Sequence, residues 1–263
     1  MNHTVADLSR QLANLIAVVV GIMALATLPL TQDGGAREHV VGADPLLAAA
    51  PGAALLWLPL VAWILLYAVW QALPAQRAHP LLRRVGWWTA TAAAGNVVAA
   101  FCHARGHPFV AWATVATVVA ALLQVERESR GVGGDDQGLV RAPFGLLLGW
   151  MCMSLLLQSA QVLHVVLRAD VNPVLGIFGA IAGIVGIAAV GIFFALLHDN
   201  HWLGAAIAWG LGAVALERQE LPSFAFLAAL AALIVVVAIV ASLLVDPGPE
   251  RSSLPSGGAA KTA

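Results

Sequence analysis

Eight apolar segments run through this chain, and its charged residues are confined to the connections between them. They cover approximately 12–30, 51–73, 85–103, 108–125, 143–166, 174–197, 201–216 and 222–245. A bilayer core about 30 Å thick is crossed by roughly 20 helical residues. A backbone in hydrocarbon must also satisfy its own N–H and C=O groups, which a helix does and an open strand does not. The expected fold is therefore all-α, a polytopic membrane bundle of about eight transmembrane helices with the lipid bilayer as its surroundings. The seventh segment is the shortest and the weakest candidate to span. Composition agrees, since 10% of residues are charged and mean hydropathy is +0.87, against about 25% charged in an ordinary soluble domain.

Several classes lose ground at once. No Asp, Glu, Lys or Arg lies within a span, whereas an ion pump or proton relay places a carboxylate at mid-membrane. Net charge is −1 with no Lys/Arg block, so nucleic acid is not an expected partner. Cys102 and Cys152 fall inside apolar segments, where a free thiol behaves as a small hydrophobe, so neither a disulfide nor a metal pair is expected. Arg10 precedes an apolar run of about 19 residues, too long for the roughly 7–15 of a signal sequence, and the run is read as the first span. The Gly-Val-Gly-Gly of the Gln124–Arg141 connection lacks the lysine of a phosphate loop.

Lys and Arg set the orientation. Nine of the thirteen fall on one side: Arg10; Arg77, Arg83 and Arg84; Arg127, Arg130 and Arg141; Arg251 and Lys261. Arg37, Arg105, Arg168 and Arg218 fall on the other. Both termini are expected to be cytoplasmic, with a membrane domain over 1–245 and a Pro/Gly/Ser-rich disordered tail over 246–263.

The fifth segment is the most informative. Trp150, Ser154, Gln158, Gln161 and His164 fall within an arc of roughly 120° at 100° per residue. An amide facing acyl chains without a partner costs several kcal/mol, so this stripe must face other helices or a cavity. Two readings follow: interhelical hydrogen bonding, worth about 0.6 kcal/mol per bond on average, or the wall of a ligand pocket.

Other segments add candidates. The second carries Trp57, Trp63, Tyr67 and Trp70, with Pro59 expected to kink it. The third places Asn96 and His103 on one face, and Gly106 ends the helix before His107. His39, His103, His107 and His164 are expected toward the outer side, as scattered surface residues or as outer ligand contacts; a metal site is not expected. The Thr31–Ala50 connection is long enough to act as a lid or to be a plain solvated loop. Gly176, Gly179, Gly183 and Gly186 share one face of the sixth segment, suited to close helix packing within the chain or against a second copy in a homodimer.

The RAPFGLLLGW opening of the fifth segment, the Trp near the head of the second, the Asn inside the third and the nine tryptophans together resemble the tryptophan-rich sensory protein family, also called the TspO/MBR or translocator family, in its long bacterial branch. The resemblance covers roughly 15–165. It implies a five-helix core over 12–166 with a three-helix extension over 174–245, in a bacterial inner membrane. Trp57, Asn96, Pro143, Phe144 and Trp150 stand at the family's motif positions, and Gln158 stands where the family usually has Asn. Departures are Val61 for the second helix-two aromatic and Ala99 for the helix-three Trp.

The family's members bind hydrophobic and aromatic ligands, including porphyrin, haem and sterols, in a pocket between helices. The resemblance therefore implies a ligand-binding membrane sensor or regulator, with Trp57, Asn96, Trp150, Ser154, Gln158 and Gln161 as the pocket residues. No resident cofactor is certain, and porphyrin or haem is the expected candidate. The alternatives are a small-solute transporter or a structural assembly subunit. No acid/base pair, nucleophile constellation or metal motif argues for an enzyme.

Overall fold

The computed structural model describes residues 3–31, 46–47, 49–130, 137–167 and 173–244. Among them are eight α-helices and no strand: α1 (His3–Thr31), α2 (Trp57–Ala72), α3 (Pro80–Ala104), α4 (Pro108–Ser129), α5 (Ala142–Leu167), α6 (Pro173–Leu197), α7 (His201–Glu217) and α8 (Pro222–Leu244). Short 3₁₀ turns cover Pro51–Leu56 and Pro74–Gln76, and a π-helical turn over Gln137–Arg141 leads into α5. Prolines stand at the starts of α3, α4, α6 and α8, where a missing N–H is no loss. Gly106, with φ 71°, supplies the left-handed turn between α3 and α4.

Helices α1, α3 and α4 begin or end several residues beyond their apolar runs, because their polar ends are built into the bundle. Asp7, Arg10, Gln11 and Asn14 share one buried face of the first turns of α1. Pro59 lies in the first turn of α2, and the change of backbone geometry falls just before it, at Leu56–Trp57.

Six helices are long and apolar enough to cross a membrane by themselves. The exceptions are α3, with Arg83 and Arg84 near its start, and the 17-residue α7, about 25 Å long. The short α7 is a heavily buried helix, with Leu203, Ala206, Ile207, Leu211 and Val214 fully enclosed. It is α7's length, not its hydropathy, that makes it a weak candidate to span alone, and its neighbours enclose most of its surface.

Packing closes α1, α2, α5, α4 and α3, in that order, into a ring. The extension docks on the outside of α5, with α7 between α5, α6 and α8. Its closest approach is made by two glycines of the fifth segment. A Cβ at Gly145 would stand 2.6 Å from Asn200 Oδ1, and one at Gly149 would overlap the Leu203 carbonyl oxygen. One hydrophobic core, from Leu60 and Val85 through Leu148 to Ile207 and Val235, runs through both parts.

Of the five glycines on α6, Gly183 and Gly191 meet other described residues, with Leu156 Cδ1 at 2.8 Å and Val235 Cγ1 at 3.1 Å from their Cβ positions. Gly176, Gly179 and Gly186 face open space.

Candidate functional site

The ring surrounds a hollow whose floor is a chain of buried polar side chains. Asn14 Nδ2 donates to Gly86 O at 2.7 Å and to Arg10 O at 3.0 Å, tying α1 to α3. The Thr89 hydroxyl lies 2.7 Å from Asn14 Oδ1 and 2.9 Å from Gly86 O, so its proton is directed at one of those two acceptors. Tyr67 of α2, 3.2 Å from Thr89 Oγ1, is then the donor of its own bond. The Tyr67 oxygen keeps lone pairs that can accept from above. Phe144 of α5 packs edge-on against the Tyr67 ring at 4.8 Å and fixes its plane.

Below this floor the bundle ends in charge. Arg83 Nη2 and Asp7 Oδ2 are 2.6 Å apart, and the bidentate pair holds the Arg83 guanidinium more basic than usual, the hydrogen bond to Asp7 dominating. Arg10, 1% exposed, donates to Arg77 O, and Gln11 donates to Gln71 O at 2.6 Å. These bonds clamp α1 to α2 and α3 and set the depth of the hollow.

The hollow has a cavity volume of about 110 Å³ and is lined by α1, α2, α3 and α5. Trp57, Val61 and Ile64 form one wall; Ala93, Asn96, Val97 and Ala100 form another. Among the described residues its lining includes no Asp, Glu, Lys, Arg or His. A mostly apolar lining with a few placed polar groups is the usual composition of a small-molecule site.

The six expected pocket residues do not share one space. Trp57 and Asn96 line the hollow. Trp150 and Gln161 line a second cavity of about 360 Å³, roofed by Leu47 and the 49–54 stretch. The two tryptophans meet edge to face, ring centroids 6.4 Å apart, and so stand between the cavities. The Ser154 hydroxyl donates to Trp150 O of its own helix at 2.9 Å, and Gln158 Oε1 is buried without a hydrogen-bond partner. Neither residue lines either cavity.

His103 and His107 are exposed at the turn between α3 and α4. Among the described residues no three His, Cys, Asp or Glu side chains gather as metal ligands. His39, the lid portion 32–45 and the side chain of His164 lie outside the described residues.

Sequence reasoning missed the floor residues Asn14 and Thr89. Their signal was available, since Gln11 and Asn14 follow Asp7 and Arg10 on one face of a helix that is otherwise Leu, Ile and Val. It also missed a second buried cluster. Glu126 of α4 accepts from Asn200 Nδ2 at 2.7 Å and lies 3.5 Å from Arg141 Nη2. Asn200 Oδ1 in turn caps α7 by accepting from Leu203 N at 3.1 Å. Arg141 also donates to His198 O. This cluster ties the ring to the extension at the charged end of the bundle, from residues 74 positions apart in sequence.

A polytopic membrane helix bundle with an uncharged hollow inside a five-helix ring is the class that these features define. The particular family follows from comparison: the family model described as TSPO-like protein matches residues 11–242, so the chain belongs to that family. The match runs from α1 into α8, taking in the extension as well as the ring. Curated proteins and solved structures give no match.

Proposed function

We propose that this protein binds a flat, apolar, predominantly uncharged ligand in the hollow of its ring and acts in a bacterial cytoplasmic membrane, with both termini cytoplasmic, as a sensor or regulator of that ligand. The observation that carries the reading is the lining itself: Trp57 supplies an aromatic wall, Asn96 an amide, the Tyr67 oxygen an acceptor, and the described lining residues carry no formal charge. Family membership supports the same reading. A tetrapyrrole is the expected candidate from the family resemblance, with its carboxylates held outside, because a carboxylate buried among the described lining residues would meet no cation.

Titration of the detergent-purified protein with protoporphyrin, followed by absorption and by quenching of tryptophan fluorescence, tests this. The dimethyl ester is expected to bind at least as tightly as the free diacid. Trp57→Ala and Asn96→Leu are each expected to weaken binding tenfold or more, about 1.4 kcal/mol. Unchanged affinity in both variants would refute the assignment.

A further inference from the structure

Glu126 stands in the last turn of α4, one residue past the apolar run that located the helix, and is 3% exposed. An ionisable side chain enclosed in a membrane bundle is costly unless it is partnered, and its two oxygens are partnered unequally. Oε2 accepts from Asn200 Nδ2, in the turn between α6 and α7. Oε1 is buried with no hydrogen-bond partner. It faces two guanidinium groups instead, Arg141 Nη2 at 3.5 Å and Arg130 Nε, at the end of α4, at 3.9 Å. Arg141 bridges the joint, because the same Nη2 donates to His198 O. The carboxylate thus holds the π-helical turn before α5 and the α6–α7 turn together, the first by charge and the second by a hydrogen bond. Among the described residues the other charged or titratable groups at this joint are His198, Asp199 and His201 in or beside the α6–α7 turn, Arg127 and Glu128 on α4, and Arg84 of α3, which is engaged with Glu128.

We propose that Glu126 is a proton-binding site, and that its protonation releases the α6–α7 turn from the charged end of the ring. The proton goes to Oε1, the oxygen that no donor occupies, and the neutral carboxyl keeps an ordinary amide hydrogen bond from Asn200 in place of a charge-assisted one. Arg141, whose side chain is 11% exposed, loses the anion it lies beside. A buried cation without its counter-charge is strongly unfavourable, so Arg141 turns toward water and gives up His198 O. Acid acts in the same sense from the other side of the joint. His198, held less basic than usual by burial and then by Arg130 and Arg141, takes up its proton only as the pH falls, and adds a positive charge next to those two arginines. Asp199 alone opposes this, from an exposed position where solvent and salt screen it. Release is local: Asn200 Oδ1 caps Leu203 N, so the first turn of α7 loosens with its cap while the buried remainder of α7 stays packed. With both termini cytoplasmic, as proposed above, the acidity sensed is that of the cytoplasm; the latch itself does not depend on that orientation or on the ligand of the hollow.

Amide hydrogen exchange of the full-length protein in detergent, measured by mass spectrometry at about pH 7.5 and about pH 5.5 and corrected for the intrinsic effect of pH on exchange, tests the site. The segment 198–206 is expected to exchange about tenfold faster at the lower pH, while 90–100 of α3 and 228–238 of α8 keep their rates. Glu126→Gln fixes the neutral form and should exchange at the faster rate at both pH values. Glu126→Asp keeps the charge and should keep a pH response. His198→Gln, which removes the other titrating side chain and leaves Glu126 in place, should reduce the response without abolishing it, and decides the matter if Glu126→Gln does not fold. Four results would each overturn the proposal: a segment indifferent to pH in the unmodified protein, a full response retained in Glu126→Gln, a response abolished by His198→Gln or Glu126→Asp, or an acceleration shared equally by α3 and α8, which is general acid unfolding.

Discussion

Gly149→Ala tests the packing that joins ring to extension. A methyl at this position would overlap the Leu203 carbonyl oxygen and stand 2.9 Å from Ala206 Cβ and 3.0 Å from Leu203 C. Carbon atoms pack at about 3.5–4.0 Å, so α5 and α7 must part by at least about half an ångström. Two of the three obstructing atoms are backbone and cannot rotate aside. Overpacking of this kind costs about 1–3 kcal/mol, a roughly five- to 150-fold fall in the ratio of folded to unfolded protein. Reversible unfolding in mixed micelles with increasing SDS, followed by circular dichroism, measures it. Gly176→Ala is the matched control: its Cβ meets nothing within 4 Å, and exchange of Gly for Ala inside a helix gains up to about 1 kcal/mol. The opposite result, a neutral Gly149→Ala beside a costly Gly176→Ala, would refute the account of which glycines bring helices together.

Asn200→Ala removes both the α7 cap and a hydrogen bond to buried Glu126, and should destabilise by about 1–3 kcal/mol in the same assay. Combined with Glu126→Gln, the loss should be clearly less than the sum, because the two act on one contact. Asn14→Ala should cost about 1–3 kcal/mol by removing the buried bonds from Asn14 to Gly86 O and Thr89, leaving the Thr89 hydroxyl to donate to Gly86 O alone, and should weaken ligand binding by disturbing the floor. His198, between α6 and α7, is held less basic than its ordinary 6.5 by desolvation first and by Arg130 and Arg141 after it. Its unfolded form binds the proton more readily, so stability should rise with pH through the window just below 6.5 and fall on acidification. A pH series of SDS midpoints should show that slope, and His198→Gln should flatten it.

The fold was legible because hydrocarbon imposes so few solutions. Apolar run length located every helix, and Gly106 marked the end of the third. The ends of α1, α3 and α4 were harder to place. Arg10 and Glu126 look like solvated flanks in a hydropathy window, yet each is buried by a partner from another helix, Arg77 O for the first and Asn200 for the second. Hydropathy averages over neighbours in sequence and carries no information about neighbours in space.

The division of the pocket residues has a similar cause. A helical wheel projects Trp150, Ser154, Gln158 and Gln161 onto one arc, yet Trp150 and Gln161, about 16 Å apart along the helix, line one cavity while Ser154 and Gln158 between them line neither. A cavity that accepts side chains from several helices is bounded along the axis as well as around it. The ring of α1, α2, α3 and α5 closes one space at the level of Trp57 and Asn96, while the roof carried by α7 closes another against Trp150 and Gln161. Angle shows that a side chain faces inward; only the partner helices decide which hollow it faces. Those partners include α7, whose 17 residues gave the weakest spanning signal of the eight segments and whose backbone and side chains hold the outer wall.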